Sequence, residues 1–350
     1  MLRGAGSYWK ALGIEGEILC TGEALGSYAT PLEDAGFRVH HLPFVRSVGF
    51  LHSIYRFFRS HRYDSVHIHT ERGCFWYAGL AYLTGHRSVV RSLHGVFSFR
   101  GGLRARRYAQ RLLMRRVFGV RMAAVSQSVK NVEQGAFRNP ALVIPDWFDS
   151  NWYRPPTPQE RQAARAAFAI DPSTLVISSV ANCAEVKNHA AVLQAVARIP
   201  RAIDILYLHA GDERDDPTER ALADELGIAG RVRFLGPVAD ARRALHASDL
   251  FVMPSLREAA GVAAMEAMGA GVPVVLSDVE GLRDFRAMSP AIHWIEPTAR
   301  GVEAAILHFH GLEARDRKEI GEQLSASAHR SFGIAAGAAQ YAALYRGEQF

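Results

Sequence analysis

Cysteine is scarce: Cys20, Cys74 and Cys183 are the three in 350 residues, and their scatter matches no metal-ligand spacing. That excludes a disulfide framework and points to a reducing, cytoplasmic setting. Long hydrophobic runs are also missing, since none approaches the about 20 apolar residues that span a bilayer. The opening MLRGAGSYWKALG lacks the apolar stretch of a secretory signal, so none is expected. What remains is a globular balance of 49% hydrophobic and 22% charged residues, on a chain long enough for two α/β domains.

Negative charge is absent from a long interval. Between Glu71 and Glu133 there is no acidic residue, while Arg72, Arg87, Arg91, Arg100, Arg104, Arg106, Arg107, Arg111, Arg115, Arg116, Arg121 and Lys130 all fall there. The net charge of +6 is therefore concentrated, and an anionic partner is expected. No aromatic RNA-binding signature or finger spacing accompanies it, so nucleic acid is not the expected partner. Within Arg104 to Val120 the apolar Tyr108, Leu112, Leu113 and Phe118 alternate with arginines at helical spacing. Two readings stay open: a basic helix over residues 100–121 lying on an anionic membrane surface, or a solvated face packed on its own domain.

Two series of strand–helix alternation are present. Short strands are expected at Glu17–Cys20, Arg38–His41, Ser65–His69, Ser88–Leu93, Met122–Val125 and Leu142–Ile144 in the first, and at Thr174–Ala181, Ile203–Ala210, Val232–Leu235, Leu250–Met253 and Val272–Leu276 in the second. Such alternation predicts parallel sheets covered by helices, one Rossmann-like domain in each half. The Pro-rich stretch from Asp146 to Pro158 reads as the linker.

The segment PSLREAAGVAAMEAMGAGVPVVLSD, from Pro254 to Asp278, carries the most chemistry. It follows one apolar strand and precedes another, with Glu258 and Glu266 flanking a stretch that holds Gly261 and Val262. A Gly-containing loop leading into a helix presents unpaired N–H groups and the positive dipole end to phosphate oxygens. Glu258 is placed to accept from sugar hydroxyls, and Glu266, two helical turns on, from those of a ribose. A plain buried βα unit with solvent-facing glutamates is the bland reading of the same residues.

The segment resembles the signature of the family 4 retaining glycosyltransferases, through the paired glutamates, Gly261 between them, the GAGVPVV run and SDVEGLRDF from Ser277 to Phe285. The family usually has Gly-Phe or a similar pair after the first glutamate, where this chain has Ala259 and Ala260. The resemblance implies the GT-B fold: α/β, two Rossmann-like domains facing across a cleft, with an acceptor-side domain at 1–150, a nucleotide-sugar-binding domain at 151–330, and a closing helix at 331–350 that returns to the first. In that helix Phe332, Tyr341, Leu344 and Tyr345 are the expected packing residues. Met1 to Gly16 resembles the family's first helix, which implies that the preceding strand and Gly-rich loop are missing and the N-terminal domain is incomplete.

The same resemblance assigns further residues. VANCAEVKNHAAVLQAV, from Val180 to Val196, matches the strand-loop-helix whose arginine and lysine grip the donor diphosphate. Lys187 takes the lysine position and opens the helix, while Asn182 stands where the arginine is usual. Gly211 and Asp212 in LHAGDER form the expected turn near the nucleotide. RVRFLGPV resembles the strand and loop that reads the base edge, with Phe234 and Leu235 read as core. His94, in RSLHGVF, matches the histidine facing the transferred sugar. His69 in HIHTERG and Ser126 in AVSQSVKN are candidate acceptor contacts, Ser126 equally a helix cap. At Asp146 and Trp147 the family often has Asn-Gly, and the tryptophan either narrows a hinge or stacks on a sugar.

The implied activity is transfer of a sugar, with retention, from a nucleotide-diphosphate sugar to a hydroxyl of a glycan or lipid-linked acceptor in bacterial envelope or exopolysaccharide assembly. His94, Lys187 and Glu258 are the expected catalytic groups, with no cofactor and no metal. The expected location is the cytoplasm, peripheral on the inner face of the plasma membrane. Two other classes share the fold: a non-catalytic remnant that binds a nucleotide sugar or a membrane, and a nucleotide-sugar epimerase, which the paired glutamates disfavour.

Overall fold

The computed structural model describes residues 2–26, 29–96, 99–213, 218–238 and 240–348. Phe97 and Arg214, which end two of the motifs above, lie outside the described residues, as do Met1, Gln349 and Phe350. The chain divides into two compact units. Unit 1 is Met1–Trp147 with Ile334–Phe350, and unit 2 is Phe148–Gly333.

Unit 2 has one six-stranded parallel sheet. Its strands, numbered in chain order after the six of unit 1, are β7 (Leu175–Val180), β8 (Ile205–Ala210), β9 (Val232–Phe234), β10 (Leu250–Met253), β11 (Val274–Ser277) and β12 (His293–Ile295). The spatial order is β12-β11-β10-β7-β8-β9. Leu175–Val180 and Ile205–Ala210 are nearly continuous apolar runs because strands inside a parallel sheet are covered on both faces. Val192, Leu193, Val302 and Ile306 build the core on one face, while Ala164, Ala244 and Ala247 belong to the other. The chain order reverses between β7 and β10, and open α/β sheets bind ligands outside the strand carboxyl ends at such a switch point.

Unit 1 holds β1 (Glu17–Cys20) and β2 (Arg38–His41) as a parallel pair, and β3 (Val66–Ile68), β4 (Val89–Leu93), β5 (Arg121–Ala124) and β6 (Leu142–Val143) as a second parallel sheet in that order. Its core joins the helix Leu2–Ala11 to the helix Ile334–Arg346, with Trp9 Nε1 donating to the Ala338 carbonyl (3.0 Å). Trp147 is 2% exposed and packs edge-on against Trp9 (6.4 Å) and Tyr341 (5.6 Å). It is a core residue of unit 1, which removes it from sugar stacking.

Three expectations need correction. The Asp146–Pro158 stretch is not wholly a linker: Asp146 and Trp147 are buried in unit 1, and Thr157 caps the helix Pro158–Ala167 through a capping box with Glu160. The closing helix does not start at Ser331. Ser331 and Phe332 end the helix Ala314–Phe332 of unit 2, the Phe332 carbonyl accepts from the Phe148 N–H (3.2 Å), and the returning helix begins at Ile334. Strand β12 was not expected, since a three-residue HWI run carries little β signal.

Candidate functional site

The carboxyl ends of β7 and β10 flank the switch point in unit 2. After β7 the chain runs through Asn182 into a short 3-10 turn, Glu185–Lys187, and Asn188 in the left-handed conformation caps the helix His189–Arg198. Lys187 therefore precedes the helix and does not open it. Two Asn188 hydrogen bonds hold this loop to the rest of the site, from Nδ2 to the carbonyls of Pro254 (3.0 Å) and Pro297 (2.9 Å). The Leu256 N–H donates to the Val186 carbonyl (2.9 Å), so the loops after β7 and β10 are tied together by backbone as well.

This tie brings the two expected charges into contact. Lys187 Nζ donates to Glu258 Oε1 at 2.6 Å, and Ser255 Oγ donates to the same oxygen at 2.9 Å. The Glu258 side chain is 9% exposed and that of Lys187 29%. A carboxylate this buried needs its donors, and Lys187 and Ser255 supply them. Ser255 was missed from sequence, although it stands three residues before Glu258 in the quoted motif.

Gly261 is the N-cap of the helix Val262–Gly269, left-handed at φ +61°, with Val262 the first helical residue. The SDVEGLRDF run has a packing role that its sequence did not disclose. Leu282 and Phe285 lie directly under Gly261, and a Cβ there would meet Leu282 Cδ2 at 2.7 Å. Glu266 stands about one turn into the helix, partly exposed. Its carboxyl is pushed up to about 7, chiefly by burial, with a Tyr153 hydrogen bond acting in the opposite direction. A carboxyl perturbed this far at a sheet switch point is a site signature.

At the end of β8 the Gly211 N–H donates to the Gly236 carbonyl (2.9 Å). The Asp212 N–H donates to Asn182 Oδ1 (3.0 Å), and the Cys183 N–H to the Asp212 carbonyl (2.8 Å). Asn182 thus pins the neighbouring loop through its oxygen, a task the guanidinium usual at this position cannot perform. Phe234 and Leu235 are partly buried against the two faces of the core, as expected.

In unit 1 the strand ends carry a polar chain. His69 Nδ1 and His94 Nε2 are 3.0 Å apart, and His94 Nδ1 lies 3.7 Å from Asp146 Oδ1. That oxygen is buried and has no hydrogen-bond partner. His69 is lowered to about 3, first by burial and then by His94, so it stays neutral. His67 bonds Tyr345 Oη (2.7 Å) and Ser92 Oγ (2.8 Å) and packs inside. Ser126 is buried and its Oγ accepts from the Val129 N–H (3.2 Å), so it caps the helix Gln127–Phe137. Asp146 was overlooked as a partner of His94 because 52 positions separate them in sequence.

The arginine-rich interval divides between inside and outside. Arg91 and Arg111 are 1% exposed; Arg91 pairs with Glu71, and Arg111 with both Glu133 and Glu71. The two acids bounding the interval thus neutralise its buried cations. On the helix Gly101–Arg116 and just beyond, Leu103, Leu112, Leu113 and Val117 are exposed among Arg104, Arg106 and Arg116. No helix among the described residues is long and apolar enough to cross a membrane.

A doubly wound sheet with a lysine, a Gly-capped helix and a perturbed carboxyl at its switch point has the build of an open α/β protein that takes a ligand at the strand carboxyl ends. Residues 5–151 match the family described as Glycosyltransferase Family 4, and residues 160–308 that described as Glycosyl transferases group 1. The chain belongs to the family 4, group 1 glycosyltransferases, and its architecture is GT-B. The D-inositol 3-phosphate glycosyltransferase of Mycobacterium sp. (strain KMS) is 40% identical over 133 residues, which make up 36% of this chain and 30% of that protein. The match thus spans less than a third of that curated relative's length. A glycosyltransferase from Rickettsia africae ESF-5 superimposes with a TM-score of 0.84 at 18% identity, covering 98% of this chain and 93% of the other. Anabaena HepE, solved with UDP and glucose, gives 0.84 at 19% identity over 99% and 94%.

Proposed function

We propose that this chain is a retaining glycosyltransferase that binds a nucleoside-diphosphate sugar in unit 2 and transfers the sugar to an acceptor hydroxyl. The observation that carries the reading is the Lys187–Glu258 contact of 2.6 Å at the switch point, beside the helix capped by Gly261. An arriving diphosphate takes Lys187 as its counter-ion and accepts from the N–H groups of that helix start. Glu258, released from the lysine, accepts from hydroxyls of the sugar, and ionised Glu266 accepts from the ribose. Asn182, Gly211 and Asp212 shape the nucleotide side.

In the reaction the bond from the anomeric carbon to the phosphate oxygen breaks ahead of the new one. The fixed donors at Lys187 and the helix start stabilise the growing negative charge on the leaving diphosphate. The acceptor oxygen bonds the anomeric carbon on the face that the leaving group departs, and its proton passes to a diphosphate oxygen. His94 hydrogen-bonds a hydroxyl of the sugar, steadied by His69 and Asp146. The positive field comes from the lysine and the helix, so the proposed reaction calls for no metal. The exposed leucines and valine among arginines on 103–117 suit an anionic membrane surface, which favours a lipid-linked acceptor in envelope or exopolysaccharide assembly.

The test is a melting-temperature panel of UDP, GDP, ADP, dTDP and their glucose conjugates, since a ligand of the folded state raises its melting point. One base is expected to give a clear rise, lost in Lys187→Ala while the variant keeps its native circular dichroism. Sugar transfer by that variant should fall about a hundredfold. Absence of a shift with every nucleotide, or an unchanged shift in Lys187→Ala, would overturn the assignment.

A further inference from the structure

The β1–β2 pair in unit 1 carries a second cluster of ligand-bearing side chains, on elements other than those that hold His69 and His94. Glu17 is the first residue of β1, and the parallel register pairs it with Arg38, so His40 lies two residues further along the same face of β2. His61 is the C-cap of the helix Val48–Ser60. One ligand atom from each of Glu17, His40 and His61 lies within 4.8 Å of the other two. Glu17 Oε2 and His40 Nε2 are already 2.9 Å apart, with both side chains about one-quarter exposed.

The surroundings orient these atoms as outer partners of a metal do. His61 Nδ1 lies 2.9 Å from the Phe57 carbonyl; donating there leaves the lone pair on Nε2. The His61 ring is stacked on Phe57 (4.4 Å) and parallel to Tyr63 (6.0 Å, 2°), which limits its rotation. Tyr63 Oη donates to Glu17 Oε2 at 2.7 Å, which fixes the orientation of that carboxylate. Arg38, which donates to the other oxygen at 3.1 Å, has a side chain 72% exposed and is free to swing into solvent when a cation takes over its role.

We infer that Glu17, His40 and His61 form a binding site for a divalent transition-metal ion, Zn2+ foremost, that clamps β1 and β2 to the end of the neighbouring helix. Two imidazoles and a carboxylate suit Zn2+, whose bonds of about 2.0–2.2 Å set tetrahedral ligands roughly 3.4 Å apart. The present 2.9 Å contact opens by about half an ångström to admit it, and water completes the shell. The clamp answers a structural need, since a two-stranded sheet of four-residue strands is marginal by itself. No spacing motif announces the site because positions 17, 40 and 61 lie on three separate elements.

The test titrates chelator-treated full-length protein with ZnCl2 by calorimetry and with CoCl2 by visible absorption. One equivalent is expected to bind, with the intense bands of four-coordinate Co2+ and a rise in melting temperature. Glu17→Gln and His61→Ala should each abolish those bands while the fold, followed by circular dichroism, is kept. Tyr63→Phe, which touches no metal, should weaken Zn2+ about tenfold. Absence of saturable binding by the wild type, or one-equivalent binding left unchanged in both ligand variants, would overturn the site and leave the glycosyl-transfer reading untouched.

Discussion

Glu266 meets two opposed demands. Its carboxyl is raised from 4.5 to about 7 mainly by burial. Between those values the unfolded chain has lost its proton while the folded one retains it, so the group's stability contribution is complete below about pH 4.5 and declines until about pH 7. The full loss is about 3 kcal/mol at 1.4 kcal/mol per unit. Glu266→Gln is therefore expected to melt higher at pH 8, by about 5 °C or more for a unit of this size. The same variant should lose nucleotide-sugar affinity if the ionised carboxylate grips the ribose. In the wild type, affinity for whichever nucleotide sugar the melting panel selects, whose diphosphate does not titrate near neutrality, should drop about tenfold per unit below pH 7. Calorimetric titration at pH 8 and pH 6 decides this: equal affinities would remove Glu266 from the site. Asp146 sets up a second test. Its Oδ1 is buried without a hydrogen bond and lies 3.7 Å from His94 Nδ1, close enough to orient that ring. Asp146→Asn should lower the turnover number of sugar transfer by about ten- to a hundredfold with the KM for donor little changed. A variant with wild-type turnover would reduce Asp146 to a packing residue.

At the scale of elements, the loop after β10 is held from beneath by the segment after β11. Gly281 has φ +87°, and a Cβ there would lie 2.1 Å from the Glu258 carbonyl oxygen. Gly281→Ala must move the backbone that carries Glu258, and combines a left-handed strain of about 1 kcal/mol with that collision. Nucleotide sugar should bind at least tenfold more weakly, and urea unfolding should show a loss of about 2 kcal/mol or more; unchanged binding would mean that the loop is not built on this contact. The contrast between Gly281 and Glu258 also shows what the sequence discloses. Strand–loop–helix order and the Glu258–Gly261–Glu266 spacing were legible because apolar runs and small-residue loops are local signals. The contacts of those residues were not, since Lys187 meets Glu258 across 71 positions and Asp146 meets His94 across 52. Phe332 was misplaced for a related reason: Ala314–Phe332 and Ile334–Arg346 are nearly continuous helix, and only tertiary packing shows that Gly333 divides the units. Likewise the arginines at 91 and 111 read as surface charge until their carboxylate partners were placed beside them.

Across the whole molecule, both units bury histidines as neutral rings. His67 and His69 in unit 1, and His189, His209, His246 and His293 in unit 2, all titrate below the usual 6.5 with burial the first cause, His69 and His189 at about 3. A depressed histidine gives stability that is full above its unfolded value and is lost as pH falls, because the unfolded chain then binds protons that the folded one refuses. By pH 5 a ring that stays neutral costs about 2 kcal/mol, a large share of the 5–15 kcal/mol typical of a domain. Glu266 acts in the other direction in unit 2, regaining about 2 kcal/mol between pH 7 and pH 5. Calorimetry between pH 7 and pH 5 should therefore find the melting transition of unit 1 moving down. The Glu266→Gln variant, which lacks the compensating carboxyl, should show the steeper fall for unit 2. A unit 1 transition that is flat over this range would mean that its histidine rings accept protons without unfolding, and equal unit 2 slopes in the two proteins would mean that Glu266 titrates at its ordinary value.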